Sequence, residues 1–338
     1  MLAIKDVDTA GEWGNSALVS VDLDDSWCYL RTHGEQNWQT TPSVLSVATD
    51  RLVPLFAHLG IRVTVFAVGR DAEVGAGREA VCAFFESGHE VANHSMNHRF
   101  DLARLSPSEM FNDIARSADA IATATGVVPV GFRCPSFGSG ETLHQVLAAQ
   151  QYTYDASLLP TSIGPILRWY HRQTMSRATR ESIGSPELFG PATDALLPLT
   201  PFRWSWDGGE LLEIPVTTMP VLRTPMHMSY LHALTEKVPG LASAYLRLGL
   251  RLASWRNVPM SFLIHPPDIL DRHDAPDLAY LPGMRRPWQE KLDHVRRTLV
   301  EIIETREPMT HAQFVDRCDD RRHVSDHQDS SSSRYFTQ

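Results

Sequence analysis

The chain has 338 residues, of which 43% are apolar and 21% charged, and its formal net charge is −9. This composition suits a globular protein with a sizeable core, and the negative charge excludes a broad basic surface for nucleic acid. The four cysteines lie far apart without a Cys-x-x-Cys pair, and the sequence has neither the pattern of a signal peptide nor an uncharged apolar run of about 18 residues. We therefore expect a reduced, cytoplasmic protein without a thiolate zinc site or a spanning helix.

Strand-like and helical segments alternate from residue 16 to residue 157. The strand-like segments are apolar, and the helical ones carry start and stop signals: Thr41 is expected to cap the first helix, Gly60 to end it, and Ser106 and Glu109 to form a capping box. This alternation predicts an α/β fold with a parallel sheet or a barrel. The predicted strands are 16–24, 61–69, 89–94, 128–135 and 152–157, and the predicted helices are 41–60, 78–88, 106–126 and 141–151.

The second half of the chain is less regular. Its first part, residues 158–228, is rich in Pro, Arg, Ser and Thr and is predicted to form a long insertion or a lid. The polar, Ser-rich tail over 319–338 is expected to be disordered, which leaves a single domain over 1–318. The remaining predicted elements are a strand over 210–219, a helix over 229–255 broken near Pro239-Gly240, a buried strand over 258–268 and an amphipathic helix over 287–307.

Three acids, Asp22, Asp24 and Asp25, cluster at the end of the first predicted strand. Residues two apart in a strand face the same side, so Asp22 and Asp24 project together. The carboxyl ends of parallel strands are where α/β folds build their active sites. The other interpretation, that these acids cap the following loop, is about equally consistent with the pattern.

Two histidines four residues apart, His94 and His98, follow another short strand. In a helical turn both imidazoles would point to one side and could chelate one metal ion, although this spacing also arises by chance. No Glu lies between them as it does in the metalloprotease motif, so a catalytic base has to come from elsewhere in the chain. Asp22 and Asp24 can supply that base and a third ligand.

Two further polar residues follow predicted strands. Arg133 lies among apolar residues and prolines; it is either a surface side chain or a guanidinium that orients a carboxylate and keeps it ionised. His265 ends a late apolar strand; it is either a hydrogen-bonded histidine at a strand edge or a general acid. Each signal is weak alone, but four such motifs at successive strand ends are much less frequent by chance.

The ordered motifs SVDLDD, HEVANHSMNH, FRCPSFG and LIHP resemble those of the polysaccharide deacetylases, the NodB-homology group, from about residue 16 to residue 268. The resemblance implies a distorted (β/α) barrel and metal-assisted hydrolysis of an N-acyl amide, usually on an amino sugar. It also implies a bound divalent metal, which we expect to be Zn²⁺. The implied roles are Asp24, His94 and His98 as metal ligands, Asp22 as general base, Arg133 as its orienting partner, the Ser136 N–H as oxyanion donor and His265 as general acid.

The chain departs from the common family pattern at three places. Its first motif has the Asp-x-Asp form, which resembles a branch with cytoplasmic peptidoglycan-deacetylase-like, deformylase-like and allantoinase-like members and leaves base and ligand open among Asp22, Asp24 and Asp25. The Asp-Trp motif that tunes the acid histidine in many relatives is not evident, and Asp155 is one candidate to replace it. Ser136 stands where an aromatic residue is common.

From these features we predict hydrolysis of an acetyl or formyl amide on an amino sugar, a sugar-containing small molecule or a glycolipid. The aromatic residues of the insertion would favour a lipid-linked or antibiotic-like sugar, unless they only pack the insertion onto the barrel. Two other functions remain open: an allantoinase-like amidase for a small cyclic amide, and a carbohydrate-binding relative without activity. The complete ligand set and the retained Asp22 and His265 argue against both.

Overall fold

The computed structural model describes residues 2–7, 13–165, 192–238 and 240–319. The predicted tail beyond residue 319, Pro239 and much of the predicted insertion lie outside the described residues. Among the described residues, no helix has the length and apolar character needed to cross a membrane. The strands are β1 (Ala3–Asp6), β2 (Ser16–Leu23), β3 (Thr64–Ala67), β4 (Glu90–Asn93), β5 (Gly131–Phe132), β6 (Tyr154–Asp155), β7 (Phe202–Trp206), β8 (Gly209–Glu213), β9 (Met260–Ile264) and β10 (Glu307–Met309).

Helices connect most of these strands, and a further helical stretch covers residues 311–319. Short 3₁₀ turns, among them Pro135–Phe137 and Pro266–Ile269, lie directly after strands β5 and β9. The α-helices are α1 (Ser26–His33), α2 (Leu45–Leu59), α3 (Gly69–Glu73), α4 (Gly75–Glu86), α5 (Pro107–Thr125), α6 (Glu141–Ala149), α7 (Met228–Lys237), α8 (Leu241–Trp255) and α9 (Trp288–Ile303).

The strands form one mainly parallel sheet that curls into a distorted barrel. Strands β2, β3, β4, β5, β6 and β8 pair side by side in parallel, and β9 and β10 pair with β2. Strand β8 does not pair with β9, but two hydrogen bonds join the segment after β8 to β9. The Thr217 N–H donates to the Ser261 carbonyl at 3.0 Å, and the Ser261 N–H donates to Thr217 Oγ1 at 2.7 Å. The α/β prediction is therefore confirmed, with a barrel that is not strictly closed.

Strand β2 shows how the sequence positions the polar residues. All eight of its residues are buried. Its alternate residues Val19, Val21 and Leu23 pack in the cluster that joins the sheet to the outer helices. The period of two in a strand turns Ser20 and Asp22 to the opposite face, inside the barrel.

Several helix boundaries differ from the prediction. Helix α2 begins at Leu45 because Asp25 holds the preceding segment: Asp25 Oδ1 accepts the N–H of Val44 at 2.9 Å and that of Ser26 at 2.7 Å. The predicted cap at Thr41 is therefore wrong, and Asp25 is the N-cap of α1, a helix that the sequence analysis missed. The capping box of Ser106 and Glu109 is confirmed.

The predicted insertion contains the antiparallel hairpin β7–β8, whose other edge pairs with β1. Phe202 and Trp204 of this hairpin are buried in a cluster with Leu158. These aromatic side chains therefore pack the hairpin onto the barrel, which was the simpler of the two interpretations of their presence.

Candidate active site

A buried arginine holds the acid at the end of β2. Arg133 follows β5, its side chain is fully buried, and its Nη1 donates to Asp22 Oδ1 at 2.6 Å. The same nitrogen donates to Ser20 Oγ at 2.9 Å, and Nε donates to the carbonyl of Ala156 at 2.9 Å. The guanidinium also lies 4.0 Å from the centre of the Phe66 ring. These contacts exclude the surface-arginine interpretation and fix the direction of the Asp22 carboxylate.

The expected metal ligands converge on one oxygen atom. Asp24 Oδ1 lies 3.4 Å from His94 Nε2 and 3.3 Å from His98 Nε2. In a tetrahedral Zn²⁺ site with bonds of about 2.0 Å, two ligand atoms lie about 3.3 Å apart. Among the described residues, the buried atoms Asp24 Oδ1 and His98 Nδ1 have no hydrogen-bond partner. The separations and the unsatisfied oxygen fit a divalent cation between these three side chains.

Burial and mutual charge shift the pKa values of all three side chains of this cluster. Burial lowers the pKa of His94, which favours the neutral imidazole that a metal ligand needs. Burial acts to raise the pKa of Asp24, but the nearby His98 and His94 outweigh it, so the pKa of Asp24 is lowered. Burial acts to lower the pKa of His98, but Asp24 outweighs it and raises it.

The ring of His94 has one defined orientation. Its Nδ1 donates to the backbone carbonyl of Arg133 at 2.7 Å, so that Nε2 presents its lone pair to the carboxylates. A ligand histidine in proteins usually donates its second ring N–H to a carbonyl or carboxylate in this way. Arg133 therefore positions Asp22 with its side chain and His94 with its backbone.

The two histidines meet through a loop, and the expected helical turn is wrong. Residues 94–98 form no helix, and Ser95 and His98 adopt left-handed φ values of 68° and 45°. Two hydrogen bonds fix the backbone of this loop: the N–H of Ser95 donates to Asn93 Oδ1 and the N–H of Met96 donates to Asp113 Oδ1, both at 2.8 Å. The predicted convergence of the imidazoles is nevertheless confirmed.

Cys28 of α1 also reaches this cluster, and the sequence analysis did not consider it there. Its Sγ lies within 4.8 Å of ligand atoms of Asp24 and His98. Burial, reinforced by the charge of Asp24, raises the pKa of the Cys28 thiol well above its usual value. His94 is the better candidate for the third ligand, because the hydrogen bond from its Nδ1 to the Arg133 carbonyl aims Nε2 at the carboxylates.

The late histidine faces the acid of β2 from the end of the neighbouring strand β9. His265 Nε2 lies 3.8 Å from Asp22 Oδ2, and the His265 side chain, at 18% exposure, is more accessible than that of Asp22, at 4%. On its other side, Nδ1 lies 3.4 Å from Ser229 Oγ and 3.9 Å from Asp268 Oδ2. Asp268 Oδ2 also accepts the N–H of His265 at 2.8 Å and the Ser229 hydroxyl at 3.1 Å.

Asp268 thus stands where Asp155 was expected. Its signal in the sequence is its place three residues after His265 in "HPPD", where a 3₁₀ turn brings the carboxylate back to the histidine. Asp155 instead accepts a hydrogen bond from Ser157 and lies 3.8 Å from His144 Nε2. The expectation that Asp155 tunes His265 is therefore wrong.

Asp155, His144 and Glu213 form a second buried group behind Arg133, with ligand-type atoms within 4.8 Å of one another. Glu213 accepts hydrogen bonds from Trp204 Nε1 and the Leu158 N–H, both at 3.0 Å. Burial raises the pKa of Asp155 to about 7 and that of Glu213 well above its usual value. The group is a network of buried acids that can retain protons at neutral pH.

Ser136 lies in the turn Pro135–Phe137, three residues after Arg133, with left-handed backbone angles of φ 59° and ψ 21°. A non-glycine residue with this conformation is uncommon and is found mostly where the surrounding structure enforces it. The role of its N–H as oxyanion donor stays a prediction.

Comparisons with known proteins agree with this geometry. A family model described as polysaccharide deacetylase matches residues 31–155. A chitooligosaccharide deacetylase of Bradyrhizobium sp. (strain ANU 289) is 34% identical over 96 residues, which are 28% of this chain and only 39% of that protein.

Two crystal structures share the fold over nearly the whole chain. One is a Mycobacterium smegmatis protein described as a polysaccharide deacetylase, with a TM-score of 0.61 and 15% identity over 94% of each chain. The other is the PuuE allantoinase, with a TM-score of 0.55 and 13% identity over 90% of each chain. At these identities the similarity establishes the fold alone. The matched residues 31–155 carry both histidines of the ligand cluster and the buried arginine, and over this segment the chain is similar to the polysaccharide deacetylase family.

Proposed function

We propose that this protein is a metal-dependent N-deacylase, which removes an acetyl or formyl group from the nitrogen of an amino sugar, a sugar-containing small molecule or a glycolipid. The observation that carries the proposal is the position of Asp22, held by Arg133 and flanked by His265 and the ligand cluster. The name of the Bradyrhizobium relative supports a sugar substrate. The four free cysteines support the cytoplasmic location expected from the sequence.

Asp24, His94 and His98 would hold the metal, for which Zn²⁺ is our assignment. A divalent ion supplies a Lewis acid that polarises an acyl carbonyl and lowers the pKa of a water from near 16 toward about 7. The chain itself supplies imidazole and carboxylate ligands, which are the donor types of catalytic zinc sites. The His94–Arg133 hydrogen bond fixes one of these ligands before any metal arrives.

Asp22 is the general base in this proposal. Its Oδ1 is occupied by the Arg133 guanidinium, which leaves Oδ2, the oxygen nearer to His94 and His265, free to accept the proton of the attacking water. A base held in one direction avoids the reorganisation that a mobile carboxylate would need. Arg133 is therefore a positioning residue for proton abstraction.

His265 is the general acid. It follows the strand paired with β2 and has its Nε2 toward Asp22, where it can deliver a proton to the departing amine. The N–H of Ser136 would bind the developing oxyanion, a contribution of about 3 kcal/mol for such a donor. Since binding alone requires neither a base nor an acid, this pair favours a catalyst over a carbohydrate-binding protein.

The decisive experiment measures acetate and formate release from N-acetyl and N-formyl amino sugars, free and carrier-linked, with allantoin as a parallel substrate. Activity should be lost with a chelator and restored by Zn²⁺. Hydrolysis of allantoin alone would favour the cyclic amidase, and the absence of hydrolysis with every substrate would contradict the proposal.

The acid role has a sharper test. On an unactivated amide, His265→Ala and Asp22→Asn should each lower the rate by about 10²–10⁴-fold. On an activated anilide or ester, whose leaving group needs little protonation, His265→Ala should recover much of its rate while Asp22→Asn should not. Equal impairment of both variants on both substrate types would contradict the assignment of the acid to His265.

A further inference from the structure

Helix α8 has a second apolar face that points away from the core. Its inner residues Ala242, Leu246 and Leu250 are buried, whereas the side chains of Leu241, Leu248 and Trp255 are 38%, 50% and 73% exposed. We name these last three residues the outer stripe. They follow one another at intervals of seven residues, which places each within about 20° of the next around the helix, and the stripe runs for about 21 Å.

The loop before α7 extends this apolar surface. Tyr245 lies between Leu241 and Leu248, and its hydroxyl lies 2.7 Å from Thr224 Oγ1 and donates to the Pro225 carbonyl at 2.9 Å. On the same loop, Val221 and Leu222 are 66% and 59% exposed. Val221 adopts a φ of 80°, a conformation that is strained for a β-branched residue.

Positive charge flanks the outer stripe. Arg247, Arg251 and Arg256 lie in α8 or at its end, residues 241–256 contain no acid, and the net charge of the chain is −9. Arg247 Nη1 lies 3.9 Å from Glu301 Oε1, a half-exposed contact that water largely screens. The helix therefore combines an exposed apolar stripe with local basic charge on an otherwise acidic protein.

We propose that the outer stripe is a docking surface for a membrane bearing anionic lipids. A helix with aromatic and aliphatic side chains along one exposed line and arginines beside it suits the boundary between headgroups and acyl chains. Anionic headgroups would neutralise the arginines while Trp255 and Leu248 leave water. A second copy of the chain fits less well, because two stripes facing each other would bring the same arginines together.

The position of α8 gives this docking a defined geometry. The helix precedes β9, which ends at Ile264, one residue before His265. A helix lying flat on the bilayer would hold the barrel at a fixed orientation to the membrane plane. The outer stripe lies outside the ligand cluster, and its docking to a membrane does not depend on the proposed activity.

Vesicle sedimentation tests the proposal with the full chain. Wild-type protein should bind phosphatidylcholine vesicles that contain phosphatidylglycerol, and bind pure phosphatidylcholine weakly. The double variant Leu248→Ser/Trp255→Ser should lower the partition coefficient at least about tenfold, because two apolar side chains no longer enter the bilayer. Arg247→Gln/Arg251→Gln should lower binding to anionic vesicles about thirtyfold. The matched control is Val74→Ser/Val128→Ser, whose side chains are 75% and 66% exposed elsewhere.

Equal binding by wild type and Leu248→Ser/Trp255→Ser, or no binding to anionic vesicles, would overturn the proposal. Light scattering of the same proteins tests whether a second copy of the chain covers the outer stripe instead. A wild-type dimer that becomes monomeric in Leu248→Ser/Trp255→Ser would identify a self-association surface and would also overturn the membrane proposal. Unchanged thermal midpoints of the variants show that the substitutions have not unfolded α8.

Discussion

Arg133 connects the two functional parts of the site through two different groups. Its guanidinium binds Asp22 at 2.6 Å, and its carbonyl binds the ring of His94 at 2.7 Å. A change of the side chain can therefore disturb the base while it leaves the ligand in place. The same residue allows the two roles to be separated by mutation.

We expect Arg133→Lys to lower kcat about 10²-fold while metal content stays at the wild-type value. Lysine keeps the positive charge but lacks the fork that reaches Asp22, Ser20 and the Ala156 carbonyl together. Steady-state kinetics and metal analysis of the same preparation check this. A variant with full turnover, or one that loses its metal, would contradict the division of roles.

Asp268 is the residue that holds His265 in its orientation. Its carboxylate fixes the backbone of His265 and the hydroxyl of Ser229. Asp268→Asn should lower kcat about tenfold with little change in KM, because the acid loses its orientation and substrate contacts are untouched. The comparison is Ser229→Ala, which removes one hydroxyl and should have a smaller effect. A larger loss in Ser229→Ala than in Asp268→Asn would show that the hydroxyl is the main partner of His265.

At the scale of elements, strand ends were predictable and loop conformations were not. The period of two in β2 correctly placed Asp22 beside Asp24, and the buried runs at β3 and β9 were recognisable from their apolar residues. Strand β5 has two residues and lies within the predicted strand 128–135, whereas helix α1 was not predicted because its eight residues are too few for a clear periodic pattern. The left-handed angles at Ser95 and His98 carry no sequence signal, since neither residue is Gly or Asn.

Contacts between distant elements set a second limit. The pairing of His265 with Asp268 depends on a 3₁₀ turn, whereas Asp155 lies beside His144 of α6. Both acids follow or end predicted strands, so the sequence alone did not distinguish their partners. Only the packing of α6 and β8 against β6 separates the two environments.

The buried acids on β6 and β8 predict a pH dependence of stability. Burial raises the pKa of Asp155 from 3.8 to about 7. Between these values the folded chain binds a proton that the unfolded chain releases, so this group makes the free energy of unfolding fall as pH rises from about 4 to 7. Asp155→Asn removes that dependence, and the stability of the variant relative to wild type should increase with pH over this window.

Urea unfolding at several pH values between about 4 and 7 measures the difference between the two proteins. The control is Asp207→Asn, which replaces an exposed acid in the turn between β7 and β8. A stability difference for Asp155→Asn that stays constant across the window, or that falls with pH, would show that Asp155 is ionised in the folded chain.

At the scale of the whole molecule, the metal should contribute to folding. The proposed ligands come from the end of β2 and from the loop after β4, so an ion held by them would join two parts of the barrel that are far apart in the sequence. A ligand that binds only the folded chain at about 100 times its Kd stabilises it by about 2.7 kcal/mol.

We therefore expect a chelator to lower the thermal midpoint of wild type by several degrees and to leave that of His94→Ala unchanged. Metal content should fall from one equivalent per chain to near zero in the variant. His58→Ala, a change in α2 remote from the ligands, is the matched control. Equal metal content in wild type and His94→Ala would contradict the assigned ligands.

The conformation of Ser95 has a consequence for how this protein could be altered by engineering. Ser95 is fully buried at φ 68°, and its hydroxyl has no hydrogen-bond partner among the described residues. Both features oppose folding, whereas glycine would adopt this angle freely and remove the hydroxyl. Ser95→Gly should then make the metal-free protein more stable by about 1 kcal/mol after the greater freedom of the unfolded chain is counted. The substitution should also lower the affinity for the metal ion, since the loop between the proposed ligands would gain conformational freedom. At this position, the residue that stabilises the metal-free protein is therefore the one that weakens metal binding. Selection for thermostability alone would be expected to favour glycine at position 95 and so to weaken the proposed metal site.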